Sequence, residues 1–282
     1  MITATPLPKE PKEMNTRIVY LNRPGAMLSG KEFTELVTGI QCVAGTCFDT
    51  LPDYQCLRGT REELSDKVMA VAWREDGRME GFCSAVLLPI KGVGEVLHLG
   101  LTCVRPDARS GGLTHKLTSH LLTRYLLRHP FQRVWVSNVA CVLSSLGNVA
   151  LHFDDVYPSP LGPRNPSPIH MSIALQIQAR FRDKMYIRDT ALFDPANFIF
   201  RGSVGETVFQ KDEKDARFRH RDERLNAYYG SLMDFEKGDE VLQVGTCSLL
   251  TLVRYALRGD NGRYAAKAHV PRQEPLPAQL AA

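Results

Sequence analysis

The sequence predicts an α/β fold, a mixed and largely antiparallel sheet flanked by helices, and three local patterns carry the prediction. The first lies between Glu95 and Arg128, where an apolar run from Val96 to Val104 gives way to a turn carrying Pro106, Asp107, Ser110, Gly111 and Gly112. Beyond the turn, Leu113, Leu117, Leu121, Leu122 and Tyr125 recur at three- and four-residue steps, the spacing of one helix face. The second pattern is Asp76-Gly77, a hairpin signal between the β-rich runs Lys67–Trp73 and Glu80–Leu88. The third is the alternating run Arg133–Val139, which follows the helix and reads as a further strand.

Taken from the start, residues 1–15 are rich in proline and charge and read as a disordered leader without the apolar core of a signal peptide. Thr16–Asn22 is a strand closed by Pro24 and Gly25. Ser29 with Glu32 forms a capping box for a helix from Gly30 to Thr38, ended by Gly39. Gly45–Gly59 is irregular, and a Thr-x-x-Glu box starts a short helical piece at Thr60–Leu64. After the strand Arg133–Val139, the segment Cys141–Phe153 reads as a helix weakened by Gly147. Residues 159–168 form a Pro-rich link. Ile169–Arg180 fits strand or helix, and Asn197–Gln210 has the look of a hairpin. Asp212–Arg224 is a run of both charge signs suited to a solvated face or helix, and Asp239–Leu257 begins as a strand and becomes a helix. Asp239–Gly245 is like the first strand of a nucleotide-binding methyltransferase, but too little chain follows for the βα units such a domain needs.

A strand, a glycine turn and a helix point backbone N–H groups and the positive end of a helix dipole at one spot, which suits a phosphate. Glycines there let a ligand approach the backbone closely. By itself such a turn often does no more than make the corner between two elements. Here the spacing goes further: Val104, Pro106, Arg109 and Gly112 fit V-x-P-x-x-R/Q-x-x-G-x-G/A, with Thr114 in place of the last small residue. At these residues the chain resembles the GNAT superfamily of acyl-CoA-dependent N-acyltransferases, and the order of elements from Thr16 to Pro158 is the order that resemblance implies. It implies a sheet opened into a V, with residues 16–158 as an acyl-CoA-binding core. Residues 169–260 would then be a C-terminal half of open fold that packs on the core, either an extension or a second degenerate unit of the same kind. A loose tail would follow at 261–282.

The resemblance also implies a site. The turn Arg109, Ser110, Gly111, Gly112, Leu113 and Thr114 would hold the pyrophosphate of acetyl-CoA or another acyl-CoA. The backbone of Thr102 and Val104 would pair with the pantetheine arm as an added strand, and Asn138 would bond it from the next strand. Attack of an amine on a thioester needs a base, donors for the oxyanion and a proton for the departing thiolate. His98 stands where some family members place a catalytic Glu, with Glu95 nearer the start of the strand. As a titrating side chain His98 is a competent base, and as a residue inside an apolar strand it is equally a packed one. The family's thiolate acid, a Tyr in the helix after Asn138, is missing; Tyr157 just beyond that helix is the nearest replacement, with Ser144, Ser145 and His152 also at hand.

Composition bounds the rest. The chain has 282 residues, 44% hydrophobic and 23% charged, with a formal net charge of +4, a globular balance too mild to argue for nucleic acid as the main partner. Seven cysteines without zinc-like spacing argue against a metal and against a disulfide framework. With no apolar run of membrane length, a soluble, cytoplasmic protein without a membrane partner is expected. A small-molecule amine is the expected acceptor, and the oligomeric state stays open. Two other classes stand beside the enzyme: an acyl-CoA-binding or scaffolding protein without catalysis, and a nucleic-acid-associated module using the basic residues around Arg217–Arg224.

Overall fold

The computed structural model describes residues 16–257; the leader 1–15 and residues 258–282, the expected tail among them, lie outside the described residues. The described residues form two compact units, the first made of residues 16–84 with Leu101–Leu122, the second of Ala85–Gly100 with residues 123–257. Two strands, β3 (Met79–Ile90) and β4 (Gly94–Val104), each give one end to either unit. The architecture is mixed α/β with a mostly antiparallel sheet, as the sequence predicts.

In the first unit β1 (Thr16–Asn22) pairs antiparallel with β2 (Lys67–Arg74), and the sheet continues into β3 and β4. The Asp76-Gly77 turn closes as expected. The Arg78 amide donates to Asp76 Oδ1 at 3.0 Å, and Gly77 takes a φ of +84°, a conformation that favours glycine. Between β1 and β2 the chain makes α1 (Pro24–Met27), α2 (Gly30–Ala44) and α3 (Arg61–Ser65). Ser29 and Glu32 cap α2 reciprocally, and Thr60 caps α3 by accepting from the Glu63 amide at 3.2 Å. The helix does not stop at Gly39. A Cβ at that position would lie 2.5 Å from Met79 Cε, so the glycine serves close packing and α2 runs another turn. Leu36, Ile40, Val43, Leu57, Leu64, Met69, Val71 and Phe82 fill the core of this unit. Lys67 is fully buried there, its Nζ 2.9 Å from Asp66 Oδ1 and 3.2 Å from Glu63 Oε2, so the burial of its charge is compensated.

In the second unit the sheet order is β3, β4, β5 (Val134–Ala140), β9 (Glu240–Cys247), β8 (Ile199–Arg201), β7 (Leu192–Asp194), with β6 (Asp154–Tyr157) also on β9. β4 and β5 run parallel, joined through α4 (Leu113–Leu126), while β9 is antiparallel to β5, β6 and β8. Helices cover both faces. On one, α6 (Pro168–Arg180) sets Ile173 and Ile177 against Val86, Leu88, Val96, Phe200, Leu242 and Val244. On the other, α5 (Leu143–His152) and α7 (Glu223–Leu232) set Leu146, Ala150, Leu225 and Tyr229 against Ile199 and Val241. The alternation Val241, Leu242 and Val244 divides these two cores between the faces of β9. Every residue of β9 is buried, as a central strand requires, and the chain leaves it through α8 (Leu249–Leu257).

Ile169–Arg180 is a helix, settled by the Ser167 hydroxyl, which accepts from the His170 amide at 3.3 Å. The hairpin expected over Asn197–Gln210 is displaced upstream. Asp194 Oδ1 accepts from the Ala196 and Asn197 amides and so builds the turn between β7 and β8, whereas the chain leaves the sheet at Gly202 with φ +69°. The charge run Asp212–Arg224 consists of a 3₁₀ turn and the start of α7, with ion pairs inside the run: Arg217 on Asp215, Arg224 on Asp222, Arg219 on Glu223.

Candidate functional site

The turn between β4 and α4 lies in the first unit. From Pro106 to Gly111 the backbone winds as a 3₁₀ turn, then Gly112 takes a left-handed φ of +66° and α4 begins at Leu113. The left-handed residue redirects the chain into α4, whose first two amides, of Leu113 and Thr114, have no carbonyl of the helix behind them. The Gly112 carbonyl accepts from the His115 and Lys116 amides, both at 3.1 Å, and closes the first turn. An added Cβ at Gly112 would meet nothing within 4 Å, and Thr114 is exposed on the first turn of α4. Leu113 is buried and anchors the helix start, and Asp107 is engaged by Arg78 at 2.5 Å.

Arg109 is exposed and folds back on the strand. Its Nε donates to the Val104 carbonyl at 3.2 Å, and Nη2 lies 3.6 Å from Cys47 Sγ. The Cys103 thiol, first, and the Arg109 guanidinium hold the Cys47 thiol well below its ordinary range. The buried Cys103 is pushed the other way. Thr102 donates its hydroxyl to Cys83 Sγ at 3.2 Å.

The remaining candidates lie in the second unit and do not converge. His98 is 1% exposed, with Nδ1 3.0 Å from Ser137 Oγ on the paired strand. Glu95 is exposed and accepts from the Tyr125 hydroxyl at 2.9 Å. Strand alternation sets Glu95 and His98 on opposite faces of β4. Asn138 follows Ser137 on β5 and so faces away from His98. Its Nδ2 donates to Gln243 Oε1 at 3.1 Å, and Gln243 Nε2 donates in turn to the Leu146 carbonyl and the Tyr229 hydroxyl. Tyr157, on β6, donates its hydroxyl to the Ala196 carbonyl, and burial raises its pKa.

Two groups of chemical interest escape a reading of the sequence. Cys47 is there only one of seven cysteines, because its partners Val104 and Arg109 lie 57 and 62 residues away in the chain. Glu240 is 6% exposed and accepts from the Ser203 hydroxyl at 2.6 Å, and its burial pushes the carboxyl up to about 7. Among the described residues no group of three or more His, Cys, Asp or Glu side chains is placed to hold a metal ion, and no helix is long and apolar enough to cross a membrane.

No protein-family model matches the chain, and no curated protein matches it significantly. Solved structures do. An acyl-CoA N-acyltransferase from Pseudomonas aeruginosa is 22% identical, matching 44% of this chain and 79% of its own at a TM-score of 0.33. An acetyltransferase from Trypanosoma brucei is 17% identical over 49% of this chain and 92% of its own, TM-score 0.33. A ribosomal-protein-alanine N-acetyltransferase from Brucella melitensis biovar Abortus 2308 is 19% identical over 41% and 76%, TM-score 0.30. Each of these likenesses covers less than half of this chain.

Proposed function

We propose that the chain binds acyl-coenzyme A, acetyl-coenzyme A included, with the pyrophosphate on the β4–α4 turn, and passes the acyl group to the amine of a small molecule. The observation that carries this reading is Gly112, left-handed and open, at the mouth of a helix of fourteen residues. There the amides of α4 and its dipole face the place a pyrophosphate would take. Arg109 adds a cation beside the turn.

The amine nitrogen attacks the thioester carbonyl, the C–N bond forms, and the negative charge passes to the carbonyl oxygen. Collapse breaks the C–S bond, and the thiolate leaves as free coenzyme once protonated. His98, Glu95 and Tyr157 are each engaged by a neighbour, so in this reading the amine enters neutral and sheds its second proton through water. That same engagement favours a second reading, an acyl-CoA-binding protein without transfer. The two separate on release of free thiol with a panel of amines, which only the enzyme shows.

The binding claim is tested by calorimetry with coenzyme A on the native chain, Gly112→Asp and Gly112→Asn. Asp and Asn tolerate the left-handed region better than other side chains, there is room for either, and the two carry the same backbone strain, so their comparison isolates the charge. Gly112→Asp sets a carboxylate against the pyrophosphate and should weaken binding by a factor of about 100, while Gly112→Asn stays within about tenfold. Equal affinity of the Asp variant and the native chain would remove the proposal.

A further inference from the structure

We propose that Cys47 and Cys103 form a peroxide-sensitive pair, Cys47 as the thiol that is oxidised first and Cys103 as the thiol that resolves it into an intrachain disulfide. Nothing in this depends on acyl-coenzyme A binding. Cys47 lies just past the end of α2, half-buried, with Sγ 3.6 Å from Arg109 Nη2 and 3.8 Å from Thr46 Oγ1. Cys103, 3% exposed on β4, belongs to the core cluster that Cys47 packs against and adjoins Val104, whose carbonyl lies 3.5 Å from Cys47 Sγ. One sulfur thus meets solvent and a guanidinium, and the other waits behind it, the asymmetry a nucleophilic and a resolving thiol need.

The backbone supports the ionised form. While protonated, the Cys47 thiol donates to the Val104 carbonyl at 3.5 Å. When it ionises, that carbonyl keeps the Arg109 Nε bond at 3.2 Å and is not orphaned. Two donors remain for the sulfur, the guanidinium and the Cys103 thiol, because the Thr46 hydroxyl gives its hydrogen to the Val43 carbonyl at 2.7 Å. Cys103 is held protonated by the Cys47 sulfur beside it and by its burial. Cys56, Cys83, Cys141 and Cys247 are buried and their thiols are pushed up, so they do not compete; Cys42 is exposed and serves as an internal reference.

With a hydroperoxide as oxidant the step balances. The Cys47 thiolate attacks one peroxide oxygen, the O–O bond breaks, and the departing oxygen takes a proton and leaves as water or an alcohol. Cys47 is now a sulfenic acid, oxidised by two electrons. The Cys103 sulfur then attacks the Cys47 sulfur, the S–O bond breaks, and the hydroxide takes the Cys103 proton and leaves as water. In the disulfide neither sulfur carries charge, and Arg109 Nη2 loses its anionic partner next to the β4–α4 turn.

The test uses the full reduced chain. At pH 6.5 iodoacetamide should label Cys47 about ten times faster than Cys42, and Arg109→Met should remove most of that preference. Substoichiometric hydrogen peroxide followed by peptide mass spectrometry should show a Cys47–Cys103 link two hydrogens lighter than the reduced pair. In Cys103→Ser the reaction should stop at a Cys47 sulfenic acid that a cyclic 1,3-dione traps. Labelling of Cys47 no faster than Cys42, or oxidation of Cys47 without a bond to Cys103 in the native sequence, would overturn the pairing.

Discussion

The β4–α4 turn of the first unit and the β5–β9 ladder of the second present polar groups in opposite ways. At the turn the polarity belongs to the backbone, an added side chain at Gly112 has empty space before it, and Thr114 and Arg109 are exposed. In the ladder the polarity belongs to side chains, and they spend it on one another: Asn138 on Gln243, Gln243 on Leu146 and Tyr229, His98 on Ser137. A motif that works through backbone conformation stays available to a ligand. A polar side chain on a buried strand is available only if no neighbour has met it, and here the neighbours have.

Three substitutions in the second unit bear on that difference. Gln243→Ala should cost the most, about 4 kcal/mol by urea unfolding, since it leaves a cavity and strands Asn138, Tyr229 and the Leu146 carbonyl together. Unfolding free energy unchanged in that variant would show the network to be slack. His98→Ala should lower stability by about 3 kcal/mol and leave kcat per folded molecule and coenzyme affinity intact, because a buried imidazole and its Ser137 bond are lost. A kcat lowered a hundredfold at an unchanged melting temperature would instead make His98 the base and break the comparison.

Glu240→Gln should act in the stabilising direction and by the least. The Glu240 carboxyl is raised to about 7 in the folded chain, so between the unfolded value and pH 7 the folded state binds the extra proton. The native chain therefore has the full contribution of this group below about pH 4 and loses it as pH rises through 7. The substituted amide has no proton to lose, and the variant at pH 8 should exceed the native chain by about 2 kcal/mol, with the excess gone at pH 4. A difference independent of pH would show that Glu240 does not titrate in this range.

What is legible in the chain is what local chemistry decides. The hairpin at Asp76-Gly77, the capping box of α2, the Thr60 cap of α3 and the strand–turn–helix around Gly112 all stand as read, because each is settled by residues within a few positions of one another. The second half of the α3 box does not form, since the Glu63 carboxylate pairs with Arg58 and Lys67 instead. Gly39 misleads for the opposite reason: whether a glycine ends a helix or admits a neighbour depends on Met79, forty residues on. Asn138 reads as a strand-end residue available to a ligand until Gln243, 105 positions away, is placed against it. Glu240 and Ser203, and Cys47 and Arg109, are likewise distant in sequence and adjacent in space. No periodicity reports a pairing of that kind, since periodicity records which face a residue takes and not what it meets there.

Gly147 holds one more such encounter. A Cβ there would lie 2.6 Å from the His220 ring, so α5 has a notch shaped to an imidazole. His220 is locked in that notch by its backbone, which exchanges two hydrogen bonds of 2.8 Å with the Asn226 side chain, and its Nδ1 accepts from the Asp222 amide at 3.0 Å. Asp222 is the cap of α7. The ring is therefore a latch that holds only while neutral, with its hydrogen on Nε2. Burial keeps its pKa below the ordinary value, so the latch is fully closed above about pH 6.5 and slackens as acid reaches the lowered value. Protonation turns Nδ1 from an acceptor into a donor facing the Asp222 amide, so acid breaks the bond that ties the ring to the first turn of α7.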